Sequence, residues 1–211
     1  VATSAALWVV VDRWRPAEGK KRPRILATWK RLGSVMPALT AIVFARSCLV
    51  GTMAAFLPTF VVSKGSSLWL GGASLSVLEL AGTGGTFLGG SLSDRVGRRR
   101  ILLMALPASC GLMLAFVHAP SFLTFPLLLL LGFAVFTISP VALAVVHDHA
   151  GEERGSANGL YMGINFVTSG LITLAIGWLG DVIGLVWAFT LSAVLALVGV
   201  PAAWRLKESR V

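Results

Sequence analysis

From residue 36 to residue 204 the chain is a succession of six apolar runs parted by short polar or glycine-bearing turns. A helix that crosses the roughly 30 Å hydrocarbon core of a bilayer needs about 20 largely apolar residues, each rising about 1.5 Å. The runs lie at approximately 36–62, 68–92, 101–118, 122–146, 156–180 and 183–204 and have that length. They are continuous rather than alternating with a period of two, and lipid offers no partner to an open strand edge. An all-α polytopic membrane protein with six transmembrane helices is therefore expected. With 56% of residues hydrophobic and 13% charged, the chain is too apolar for an ordinary soluble domain of this size.

The flanks read differently. Residues 1–11, "VATSAALWVVV", are apolar but too short to span, and are expected to be the end of a preceding transmembrane helix. Residues 12–35 form a basic linker in which Ile25, Leu26, Trp29 and Leu32 recur at helical spacing beside Lys30 and Arg31. That pattern suits an interfacial amphipathic helix, while Pro16, Gly19 and Pro23 suit a disordered basic loop. Residues 205–211 form a polar tail.

Charge placement sets the expected topology. With the linker in the cytoplasm and the loops alternating, sixteen Lys and Arg residues fall on the cytoplasmic side and Lys64 alone on the other. Arg46 lies within a span, which accounts for all 18. The net charge of +9 then reflects topology and attraction to a membrane surface, not nucleic-acid affinity, for which no motif is present.

The second run closes on "GGSLSDRVGRRR", residues 89–100, and the fifth closes on an echo of it. Gly90-Ser91-Leu92-Ser93-Asp94-Arg95-Val96-Gly97 lies on Gly177-Trp178-Leu179-Gly180-Asp181-Val182-Ile183-Gly184, sharing G-x-L-x-D-x-x-G. Only the first copy is followed by arginines. Two three-helix units of opposite orientation are the arrangement of inverted repeats.

"GGSLSDRVGRRR" closely resembles the signature loop of the major facilitator superfamily (MFS) of secondary transporters, G-x-L-x-D-R-x-G-R-R, which follows the second helix of each six-helix half. The fourth run contains no arginine and the fifth no Gly-Pro, so the resemblance implies the C-terminal half, which would work with an N-terminal six-helix half. "RSCLVGTMAAFLPTF" and "ERGSANGLYMGINF" are similar to fosmidomycin-resistance-type bacterial exporters. The resemblance assigns Gly90, Asp94, Arg95, Gly97 and Arg98 to a loop that fastens neighbouring helices and helps set the conformational state. Physically, Asp94 can accept helix-start N–H groups or pair with an arginine, and Gly97 permits a sharp reversal. Arg99 and Arg100 are read as topology signals.

Charges at membrane depth usually face a partner or a wet cavity. Arg46 and Glu79 both lie about 15 Å from a span end, near the midplane on consecutive helices. Glu79 is a candidate proton carrier, and Arg46 could hold either Glu79 or an anionic solute group. A purely structural ion pair is the plain alternative. Asn158, Tyr161 and Asn165 share a face of the fifth helix and could line a solute path or bond to a neighbouring helix.

Thr137, Ser139 and Pro140 suggest a kink in the fourth, and the small residues of "AGTGGTFLGG" suggest close helix approach. Cys48 and Cys110 read as core residues. His147, Asp148 and His149 lack a further ligand set. No catalytic constellation, cofactor motif or metal site is found, and an enzyme is not expected.

The expected function is secondary active transport of a small solute by alternating access, proton-coupled, in a bacterial cytoplasmic (inner) membrane with linker and C-terminus in the cytoplasm. The alternative is a non-transporting receptor or assembly module, or a truncated transporter.

Overall fold

A computed structural model of the chain describes residue 33 and residues 35–206. The expected helix tail at 1–11, nearly all of the basic linker and residues 207–211 lie outside them. Among the described residues there are six long helical rods and no strand. These are α1 (Met36–Ser63), α2 (Leu68–Val96), α3 (Arg98–His118), α4 (Thr124–Ala150), α5 (Arg154–Ile183), and a sixth made of α6 (Leu185–Ala196) and α7 (Gly199–Arg205). Single 3₁₀ turns, Ser121–Leu123 and Gly151–Glu153, lead into α4 and α5.

Five of the rods are long and apolar enough to cross a membrane: Met36–Ser63, Arg98–His118, Ser121–Ala150, Arg154–Ile183 and Leu185–Arg205. The exception is α2. Its 29 residues reach about 44 Å, more than a bilayer core, but its many glycines and serines dilute its hydropathy. Those small residues serve contact with another helix rather than with lipid.

The partner is α4. A Cβ on Gly85 would run into the Phe133 carbonyl, and one on Gly132 into the Leu78 carbonyl. At Gly89 it would lie 3.0 Å from the Thr137 Cα. The Thr137 hydroxyl is directed at both the Phe133 carbonyl of its own helix at 2.8 Å and the Gly85 carbonyl of α2 at 3.1 Å. Lipid tails are as apolar as leucine, so helices in a bilayer associate through such close packing and interhelical hydrogen bonds. Pro140 falls inside an α4 that is helical throughout; Thr137 beside it serves the α2 contact.

Helix α1 packs against α2, α5, α6 and α7, and Ile42, Leu49, Met53 and Leu57 on it are fully buried. The Thr52 hydroxyl meets that of Ser192 on α6 at 2.7 Å, and Phe60 stacks on Phe189 at 4.5 Å. The α2–α3 and α5–α6 reversals are built alike. Gly97 at φ +103° and Gly184 at φ +86° occupy backbone that side-chain-bearing residues avoid. Each donates its N–H back one turn, to Ser93 O at 3.0 Å and Gly180 O at 3.1 Å. The carbonyl of each also accepts an N–H from the first turn of the next helix, from Ile101 at 3.2 Å and Ala188 at 3.1 Å.

Candidate solute site and signature loop

Ten residues into α1, Arg46 turns toward α5 and donates from Nη1 to Asn165 Oδ1 at 3.3 Å. Among the described residues, the Arg46 Nε is buried without a partner, as are Asn158 Oδ1 and the Tyr161 hydroxyl. The three α5 residues follow one another at spacings of three and four, which places them along one helical face. Tyr161 is only 7% exposed and borders a narrow cavity of about 10 Å³ between α1, α4 and α5, about the room one water needs. Buried polar atoms normally find partners; this cluster holds several that have none.

Glu79 stands apart. It is exposed on α2, makes no ion pair with Arg46, and lies with Tyr161 within electrostatic range of the guanidinium. The structure therefore brings Arg46, Tyr161 and Asn165 together and leaves Glu79 at the margin of the group. Arg46 and Glu79 do not form the candidate ion pair: Glu79 is exposed on α2, and the guanidinium bonds to Asn165 on α5.

At the arginine-bearing end, Arg98 opens α3 and reaches in two directions. It forms an ion pair with Asp94 at the end of α2, 3.6 Å away. It also pairs with Asp148 and donates to the Ala144 carbonyl, both in the last turns of α4. One guanidinium thus joins the ends of α2, α3 and α4, with the reversal at Gly97 holding Asp94 and Arg98 one turn apart. A cation beside terminal helix carbonyls also suits the helix dipole. Gly90 faces Pro140 of α4, 3.9 Å from where a Cβ would sit. Arg95 lies exposed in the last turn of α2.

Asp148 and the Ala144 carbonyl are partners that sequence reasoning missed. The available signal was an acid placed between His147 and His149 at a helix end otherwise flanked by basic loops; a carbonyl carries no signal at all. Arg99 is also more than a topology charge, for it lies over the Trp204 ring of α7 at 5.7 Å, a cation–π distance. At the opposite end Lys64 donates to the Val117 carbonyl of α3 at 2.5 Å and sits 4.9 Å above the Phe60 ring. Among the described residues no group of His, Cys, Asp and Glu is placed to hold a metal.

This is a bundle of membrane-length helices carrying a G-x-L-x-D-R-x-G-R-R loop whose arginine ties three helix ends. The sequence profile of the Major Facilitator Superfamily matches it at residues 2–173 and again at 110–211. The chain belongs to that family. This MFS chain is 30% identical over 137 residues to an uncharacterized MFS-type transporter, YfnC, of Bacillus subtilis, covering 63% of the chain and 34% of the relative. It is 21% identical over 197 residues to the fosmidomycin resistance protein of Escherichia coli, covering 90% and 48%. To the cyanate transport protein CynX of Escherichia coli it is 25% identical over 152 residues, covering 70% and 40%. The chain thus spans about half the length of these relatives or less. The family and the apolar helices make it an integral, multi-pass membrane protein.

Proposed function

We propose that this chain forms one six-helix unit of a secondary active transporter that carries a small solute across the membrane by alternating access, coupled to protons. The observation that carries the reading is the Arg46–Asn165 contact at mid-helix depth in an MFS chain, together with the Arg46 Nε, the Tyr161 hydroxyl and, further along the same α5 face, the Asn158 Oδ1, all buried and without partners among the described residues. Leaving such groups unpaired costs stability in every state that lacks a ligand, which favours a site that is periodically filled. Relatives named for cyanate transport and fosmidomycin resistance support a small molecule as cargo without selecting one.

A second six-helix unit is proposed to cover α5. Of this helix only Ala157, Tyr161 and Ile176 are buried, and Gly155, Gly159 and Gly163, four residues apart, face open space. Small residues at that spacing let helices approach closely in lipid. The solute path would run between the two units, with Glu79 as the proton carrier and the Arg98 junction as a latch released in one of the two states. The loop end is assigned to the cytoplasm, in a bacterial inner membrane, from the asymmetry of basic residues.

Solute uptake into vesicles containing the full-length protein tests this. A pH gradient should drive accumulation, a protonophore should abolish it, and Glu79→Gln should uncouple solute from protons. Accumulation indifferent to the gradient would refute the coupling, and the absence of any flux would refute the transporter.

A further inference from the structure

Arg46 carries a full positive charge at mid-helix depth, and no carboxylate among the described residues comes within ion-pair distance of it. Asn165, its hydrogen-bond partner, is neutral and occupies only Nη1. A desolvated guanidinium without a counter-charge is costly, whether in a protein interior or within a bilayer. The Nε–H, also buried, has no acceptor. Nε–H and Nη2–H lie parallel along one edge of the guanidinium plane, and that edge matches two oxygens borne on one carbon or phosphorus atom.

A second donor waits nearby. The Tyr161 hydroxyl is buried and unpartnered on a residue only 7% exposed, one turn along α5 from the asparagine that orients Arg46. A tyrosine in an otherwise little-covered helix buries its hydroxyl at a cost unless an acceptor arrives. Among the described residues the cluster holds no negative charge, and two of its donors, the Arg46 Nε–H and the Tyr161 hydroxyl, have no acceptor; one ligand group supplies both.

We infer that Arg46 and Tyr161 form the seat for the negatively charged end of the solute, so that the cargo is a small oxyanion, a carboxylate or phosphonate, and not a neutral or cationic molecule. This rests on reading the same cluster as the transport site. Arg46 binds the two oxygens side-on, Asn165 holds the guanidinium in plane, and Tyr161 donates to one of the oxygens. Glu79, exposed and within electrostatic range, repels the anion when ionised and does not when protonated.

The test is the melting temperature of the full-length protein in phosphatidylcholine nanodiscs, with methylphosphonate or propionate at about 50 mM against their neutral counterparts, dimethyl methylphosphonate and propionamide. The anions should raise it by several degrees and the neutral compounds should not. Arg46→Gln should abolish the rise and Arg46→Lys should keep a weakened one, because an ammonium retains charge without the fork. Tyr161→Phe should weaken the apparent affinity by about three- to tenfold.

A rise common to neutral and anionic compounds, no rise with either anion, or a full response in Tyr161→Phe and in whichever Arg46 variants fold would overturn the inference. Melting requires neither a gradient nor flux. An intact anion response without coupled uptake would defeat the transport reading alone, and uptake of a solute without any anion response would defeat this inference alone.

Discussion

Helices α2 and α5 hold matching places in the two three-helix repeats, have nearly the same length at 29 and 30 residues, and end in the same G-x-L-x-D-x-x-G skeleton. Their surroundings are opposite. Gly82, Gly85 and Gly89 of α2 are pressed into α4, where a backbone carbonyl occupies the space a side chain would need at Gly85. Among the described residues, a side chain at Gly155, Gly159 or Gly163 of α5 would meet nothing within 4 Å. A repeat preserves backbone form while its side-chain environment diverges: in the register of the shared skeleton Gly85 and Gly89 stand opposite Ile172 and Ile176, so the close-packing glycines of one helix have no counterpart in the other. The same holds for the closing acids. Asp94 belongs to a junction of three helix ends through Arg98, whereas Asp181 is exposed and followed by no arginine.

The comparison is broken most directly at the packed glycines. Gly85→Ala should cost about 2–3 kcal/mol by overpacking against α4, whereas Gly163→Ala, whose close contact is proposed only with the second unit, should cost no more than about 1 kcal/mol, both read from unfolding of the full-length protein in mixed micelles. Equal losses at the two sites would show that the helices are not differently packed. A smaller contrast separates the acids and their partners. Arg98→Ala should lose about 1–2 kcal/mol, since it removes the ion pairs to Asp94 and Asp148 and the bond to the Ala144 carbonyl, while Asp181→Ala should stay within about 0.5 kcal/mol of the parent.

The two turn glycines sharpen the other side of the comparison, where the repeats agree. Gly97→Ala and Gly184→Ala should each lose about 1 kcal/mol, and by similar amounts, because both hold positive φ. Thermal melting of the pair checks this, and a large difference between them would mean that the turns only look alike. The smallest effect is expected at Thr137→Val, about 0.6 kcal/mol for one hydrogen bond shared across a membrane helix pair, measured in the same unfolding assay.

Much of this architecture was legible before any coordinates. The apolar runs announce helices because a bilayer admits few alternatives, and the signature loop is recognisable because glycine, acid and arginine must stand at fixed spacing for the reversal at Gly97 to bring Asp94 beside Arg98. The small residues of "AGTGGTFLGG" were also visible as a sign of close packing, whereas all six runs read as spans and the weaker hydropathy of α2 did not stand out. The pairing at mid-depth was open. Arg46 and Glu79 lie on consecutive helices at similar depth, and depth is what a sequence reports. Rotation about the helix axis decides which neighbour a side chain meets, and it turned Arg46 to Asn165, 119 residues away.

The sequence alone therefore determined the number and length of the rods, the glycines at which they reverse and the family. Each follows from local chemistry: backbone satisfaction in lipid, steric freedom at positive φ, and residue spacing along one helix. Only the tertiary structure decided that Asp148 answers Arg98, that Asn165 answers Arg46, and that α2 is covered where α5 is not. Those outcomes depend on the relative rotation and approach of helices far apart in the chain, set by the packing of all the rods together.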